Sequence, residues 1–221
     1  MVPKFLRPIG LYLGYYYHIT RPLRSESSTS ELYSSYVSEN DVVLEVGARI
    51  GAGTRILSIL AKKVYAFEPN PYSFRILKHN MKHAKNVILF REGLGDKEGE
   101  AWLYVGEDAS RTTPSDSMKK IFGVRYSKTV RIQTATIDDV NWDPIPTCIV
   151  LDCEGFEKEV LLGGQRILSS GLVKTILVET HTLQDSSTTL FDVKNELSKY
   201  AYELTDYKDA DLIPWVIASK S

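Results

Sequence analysis

The stretch DVVLEVGARIGAG, Asp41 to Gly53, decides the fold. A β-branched, apolar run reaches a carboxylate at Glu45, glycines follow at 47, 51 and 53, and helix-forming residues continue to Lys62. That order reads as strand, tight turn and helix, and glycine in such a turn lets backbone approach a ligand closely. Working outward, a second strand covers Val64 to Glu68 and stops at Pro69. Pro71 suits the first turn of a helix that runs to about His83, and Asn86 to Phe90 supplies a third strand. Near-continuous apolar strands separated by helical segments imply βαβ crossovers, hence an α/β fold with a doubly wound, mostly parallel sheet.

Between about 95 and 146 the rhythm breaks. Glu100 to Val105 and Thr129 to Ile137 read as strands around a polar stretch, which marks an insertion or lid. Alternation resumes with a strand at Cys148 to Asp152, a helix from about Phe156 to Leu168, a strand at Lys174 to His181 and a helix from Thr188 to Tyr200. Two last strands, Tyr202 to Tyr207 and Leu212 to Ala218, flank the short turn YKDADL and predict a terminal antiparallel hairpin. The 221 residues therefore divide into an extension, 1–40, and one domain, 41–221.

Twenty-seven Lys and Arg against 28 Asp and Glu leave a net charge of -1, so no general attraction to nucleic acid is expected. Cys148 and Cys153 lie in one extended run, roughly 16 Å apart at about 3.3 Å per residue, too far for a disulfide. A reducing, cytoplasmic setting fits. No apolar run reaches the length of a spanning helix. Ile9 to Ile19 is aromatic and bracketed by Lys4, Arg7, Arg21 and Arg24. His18 and the absence of a small-x-small cleavage pattern speak against a signal peptide. The preferred reading is an accessory helix that packs on the domain or on a second copy in a homo-oligomer. Peripheral membrane contact through residues 1–24 is the alternative.

The glycine turn fits neither phosphate template: G-x-G-x-x-G is absent, and Gly53-Thr54 lacks the lysine of a P-loop. Glu68 closes the second strand 21 residues after Gly47, where a carboxylate of an open α/β sheet reaches a ribose diol. A nucleoside ligand without a demanded pyrophosphate follows, and S-adenosylmethionine matches it. Its carboxylate would suit helix N-terminal N–H groups, with Glu45 near its ammonium.

The ordered series EVGARIGAG, YAFEPNP, GLGDKEGE, TIDDV, VLDCEGFEKEVLLGG and ILVETH resembles the FkbM family of S-adenosylmethionine-dependent methyltransferases, over about Asp41 to Tyr202. The resemblance implies the seven-stranded class I methyltransferase sheet and methyl transfer, usually to a hydroxyl oxygen. It implies a cofactor turn at Glu45, Gly47, Ala48 and Gly51, and a ribose motif at Glu68, Pro69 and Asn70. Glu92, Gly93 and Leu94 would lie beside adenine, and Asp152, Glu154 and Gly155 next to the transferable methyl group. Glu45 stands where Asp is common, Arg49 where a smaller polar residue is usual, and Leu151 where Lys often precedes the Asp.

Asp152 with Glu154, and Glu179 with His181, are spaced i,i+2, which places each pair on one face of a strand. If those strands are neighbours, four ionisable side chains converge as a catalytic group, with His181 or Asp152 taking the proton of a substrate hydroxyl. Base catalysis supplies roughly 10² to 10⁴-fold and alignment about 7 to 11 kcal/mol, so positioning should dominate. The same four residues could hold a divalent cation, but the metal-free reading is preferred. An NAD-dependent oxidoreductase is a rival weakened by the missing G-x-G-x-x-G, and a catalytically silent cofactor-binding module is a second. Arg111 and Arg125 read as solvated, Asp138-Asp139 as a turn or cap, and His79 with His83 as a solvated helix face.

Overall fold

The computed structural model describes residues 24–106, 112–114, 126–182, 188–209 and 212–220. The chain opens on α1 (Arg24–Tyr36), then runs β1 (Val42–Val46), α2 (Ala52–Leu60), β2 (Lys63–Phe67), α3 (Pro71–Asn80) and β3 (Val87–Phe90). An inserted sheet follows with β4 (Gly93–Leu94), β5 (Gly99–Gly106), β6 (Thr112–Pro114) and β7 (Tyr126–Ala135). The main sheet resumes with β8 (Cys148–Leu151), α4 (Glu157–Leu162), α5 (Gln165–Ser169), β9 (Thr175–Glu179), α6 (Leu190–Leu197), β10 (Glu203–Lys208) and β11 (Pro214–Ser219).

Seven strands pair in the order β10-β11-β9-β8-β1-β2-β3. β1 is parallel to β2 and β8, β8 to β9 and β2 to β3, while β11 runs antiparallel to both β9 and β10. The α/β class, the doubly wound parallel core and the terminal hairpin expected from sequence are all present. From β1 the chain winds outward through β2 and β3, then returns to lay β8 on the other side of β1. That reversal is the switch point where open α/β sheets bind ligands, at the carboxyl ends of the strands.

Alternation along each strand divides the core between two faces. Val42, Leu44, Val46, Phe67, Ile149, Leu151, Ile176 and Val178 face one way, with α4, α5 and α6. Val43, Val64, Ala66, Val150, Leu177 and Ile217 face the other. The second face is covered in part by α1, whose Leu32 and Tyr33 are buried, with the Tyr33 ring edge-on to Trp215 at 6.4 Å. The aromatic run 9–19, with its membrane and oligomer readings, lies outside the described residues, as do Arg111 and Arg125.

Several element limits depart from expectation. The helix expected from Phe156 to Leu168 breaks into α4 and α5 at Gly163-Gly164. A Cβ on Gly163 would stand 1.9 Å from the Gly95 carbonyl oxygen, so the start of the insertion presses on that break. β8 ends at Leu151 and β9 at Glu179, so Asp152, Glu154 and His181 sit on the loops beyond the strands. Strand parity therefore does not bring the acidic residues together; loop geometry does. The insertion is itself a four-stranded sheet in the order β4-β7-β5-β6, in which β5 and β7 form a long antiparallel pair.

Candidate functional site

The turn after β1 is shaped by close backbone contact. Gly47 has φ 95°, its N–H and that of Ala48 donate to the Phe67 carbonyl at 3.0 Å, and the Asp152 N–H donates to Val46 O at 3.0 Å. A Cβ on Gly47 would fall 1.8 Å from the Asp152 carbonyl oxygen, which no side chain could tolerate. Two non-glycine residues nearby also hold left-handed backbone, Arg49 at φ 52° and Glu154 at φ 55°. Such conformations cost roughly 1 to 3 kcal/mol each and persist where surrounding structure enforces them. Their side chains face each other across the cleft, Arg49 to Glu154 at 3.9 Å.

Glu68 is held from both sides. Its Oε2 accepts the Arg49 N–H at 2.8 Å and its Oε1 accepts the Asn70 N–H at 2.8 Å. Burial pushes its carboxyl up to about 7, against the downward pull of those two bonds. The Asn70 side chain is engaged within its own helix start. Its Oδ1 accepts the Tyr72 N–H at 3.0 Å, capping α3, and its amide donates to Ser73. A cap satisfies N–H groups that the first helical turn leaves open.

Glu45 lies behind the turn. It points to the α2 face, where its Oε2 accepts the Thr54 hydroxyl at 2.6 Å, and burial lifts its carboxyl to about 8. Through this bond Glu45 supports the turn.

At the ends of β8 and β9 a second cluster forms around His181. The His181 N–H donates to the Thr189 hydroxyl at 2.9 Å and its carbonyl accepts the Thr189 N–H at 3.0 Å, so the residue that starts α6 fixes its backbone. Its Nε2 faces Glu179 Oε1 at 3.5 Å, Asp152 Oδ1 at 3.6 Å and Glu154 Oε2 at 3.8 Å. Its Nδ1 stands 3.1 Å from Glu157 Oε1, which also accepts the Gly155 N–H at 3.0 Å. Burial opposes the imidazolium, but Glu157, then Asp152 and Glu179, outweigh it and raise its pKa to about 10. Burial and the Asp152 charge raise Glu179 to about 8. Burial acts upward on Glu157 too, yet His181 and the Gly155 N–H hold it below the ordinary range.

The two clusters share a pocket. Gly47, Arg49, Glu68, Pro69, Gly93 and Leu94 form one part of its wall, and Leu103, Asp152, Cys153, Glu154 and Phe156 the other. Of the residues singled out in the sequence, Gly47, Glu68, Pro69, Gly93, Leu94, Asp152 and Glu154 are brought together there. Glu179 and His181 join through Asp152 and Glu154. Ala48, Gly51 and Glu92, with Glu45 and Asn70, are not among the lining residues. Ala48 and Gly51 shape the turn instead, Gly51 donating to Ala48 O at 2.8 Å and holding φ 95° before α2. Asp138 caps α5, its carboxylate accepting the N–H groups of Arg166 and Ile167.

Sequence reading missed Glu157 and Leu103. Glu157 lies in the quoted DCEGFE run, but its full burial against His181 has no local signal. Leu103 comes from the inserted sheet, whose packing on the pocket depends on long-range pairing.

Comparison with known proteins places this geometry in context. A family model described as the methyltransferase FkbM domain matches residues 45–204. The chain is 31% identical over 200 residues to the hexuronic acid methyltransferase AglP of Haloferax volcanii, covering 87% of this chain and 77% of that protein. Among solved structures it resembles methyltransferase FkbM from Methylobacillus flagellatus, with a TM-score of 0.63 and 19% identity over 93% of this chain. It spans only 50% of that longer chain. It also resembles precorrin-6y C5,15-methyltransferase from Geobacter metallireducens, with a TM-score of 0.54 and 16% identity, covering 89% of this chain and 86% of that one.

Proposed function

The chain belongs to the FkbM methyltransferase family, and from that premise we propose that it moves the methyl group of S-adenosylmethionine to a hydroxyl oxygen of a glycan-like acceptor carrying a hexuronic acid. The observation that carries this reading is one pocket lined by both the Glu68 cradle and the Asp152–Glu154 loop. The residues fit the donor. Each Glu68 oxygen accepts a single backbone N–H and keeps acceptor capacity for a ribose hydroxyl. Gly47 lines the pocket where a tail would pass, and Gly93 with Leu94 lines it where a base would lie. The donor, when bound, supplies an electrophilic methyl on a sulfonium.

The chain's own residues then position an acceptor and take its proton. His181 does not serve as that base, because the carboxylates around it keep it protonated at neutral pH. Glu179, whose carboxyl burial and the Asp152 charge raise, stands 3.5 Å from His181 Nε2 and is the base of this reading. Asp152, Glu154 and Arg49 line the approach. Glu179→Gln is predicted to lower kcat by roughly 10² to 10⁴-fold with little change in donor affinity, as single-turnover kinetics would report. The hexuronic acid comes from the activity named for the Haloferax relative.

The test is incubation with methyl-labelled donor and two oligosaccharides, one ending in a hexuronic acid and one in the matching neutral hexose. Label should enter the uronic-acid glycan and survive mild alkali, as an ether does. Equal labelling of both sugars would overturn the acceptor class. Alkali-labile label would move the acceptor atom from hydroxyl to carboxylate. Absence of label from a broad set of glycans, with intact donor binding, would favour a silent binding module.

A further inference from the structure

Asp152, Glu154 and His181 each direct one ligand-capable atom into a common space, and these atoms lie within 4.8 Å of one another. Acidic residues alone would not make this a site. The second observation is the histidine: it is 9% exposed, and it turns Nε2 into that space while Glu157 backs its Nδ1. The three carboxylate oxygens before Nε2, at 3.5, 3.6 and 3.8 Å, stand at or beyond hydrogen-bond reach. They are, however, spaced as ligands of one ion are. With metal–ligand bonds of about 2.1 Å, adjacent donors stand about 3.0 Å apart and opposite ones about 4.2 Å. Side-chain rotation closes the remaining fraction of an ångström.

The far side of the ring has the arrangement that metal-binding histidines use. Nδ1 lies 3.1 Å from Glu157 Oε1, and Glu157 is fully buried and anchored by the Gly155 N–H. A carboxylate behind a ligating imidazole fixes its tautomer and orientation. We infer that Asp152, Glu154 and His181 bind one divalent cation of the Mg²⁺ or Mn²⁺ kind, the ion displacing the Nε2 proton of His181, with Glu157 as the supporting carboxylate and Glu179 beside the ion. Two carboxylates and one imidazole suit those ions better than thiophilic ones. The ion would also settle a charge conflict. An anionic sugar approaching Asp152, Glu154 and Glu179 meets repulsion, whereas a bound cation reverses the local sign and offers coordination positions to acceptor oxygens. This role rests on the proposed methyl transfer, but ion binding itself does not, and it is measured without donor or acceptor.

The experiment titrates MnCl₂ into the chelator-treated full chain and follows free Mn²⁺ by electron paramagnetic resonance. One saturable ion per chain, displaced by Mg²⁺, is expected. Asp152→Asn and His181→Gln should each weaken binding at least about tenfold, and Glu157→Gln by about 10 to 100-fold, in variants whose circular dichroism matches the parent. Should a variant fail to fold, the parent chain with labelled histidines decides: substoichiometric Mn²⁺ should broaden the His181 ring signal and spare those of His79 and His83. Absence of saturable binding in the folded parent overturns the site, as does an unbroadened His181 signal or unchanged affinity in folded Asp152→Asn. Methyl transfer could fail while Mn²⁺ still binds, so the two readings are separable.

Discussion

Glu45 and Glu68 are buried carboxyls with folded-state pKa values raised from the ordinary 4.5 to about 8 and about 7. Between those limits the unfolded chain has released protons that the folded chain retains, so the stability they contribute is present at low pH and lost as pH rises through the window. The donor-free protein is therefore predicted to melt at a higher temperature at pH 6 than at pH 8.5, and Glu45→Gln should flatten that slope. A melting temperature that climbs over the same range would contradict the burial argument. Gly47 faces a harder constraint, since a methyl group would strike the Asp152 carbonyl and the backbone sits at φ 95°. Gly47→Ala should cost about 2 to 4 kcal/mol in urea unfolding and abolish donor binding in calorimetry.

The cap on α3 separates structural from ligand-binding roles. Asn70→Ala removes the side-chain acceptor for Tyr72 N–H but leaves the backbone N–H that holds Glu68. A loss of roughly 1 kcal/mol in stability, with donor affinity held within about threefold, is expected from urea titration and calorimetry. Elements of this kind were legible in the chain: Pro71 after Asn70 announced the helix start, and apolar runs at Val42–Val46, Lys63–Phe67 and Cys148–Leu151 announced buried strands. The glycine turn and Glu68 were legible for the same reason, because backbone approach and strand-end position leave local marks. That Asp152, Glu154, Glu179 and His181 converge beyond neighbouring strands was legible too, but the loop geometry that brings them together was not, since a left-handed Glu154 and the Thr189 clasp on His181 arise from tertiary packing. The break between α4 and α5 likewise depends on Gly95, far away in the chain. The bond from Thr54 to Glu45 was not legible either, because strand position alone does not say which neighbour a buried carboxylate meets.

Across the molecule, the sheet serves as a plate whose two faces are covered by different parts of the chain, and whose carboxyl edge carries the chemistry. α1 belongs to that plate: Leu32 is 1% exposed beneath it and Tyr33 meets Trp215. Leu32→Ala is predicted to cost about 2 to 4 kcal/mol in urea unfolding, as for other buried leucines, although the residue does not line the pocket. The inserted sheet reaches the same edge from another side, since Leu103 of β5 completes the pocket wall. No helix among the described residues is long and apolar enough to cross a membrane. The whole arrangement depends on Glu68 gripping a nucleoside beside the β1 turn. The direct measurement is calorimetric titration of S-adenosylhomocysteine into the parent chain and into Glu68→Gln, with NAD as the competing ligand. One site per chain, at least about tenfold weaker binding in the variant and none for NAD is the predicted result. Equal affinity in a folded Glu68→Gln variant, or NAD binding in place of the sulfur nucleoside, would contradict it.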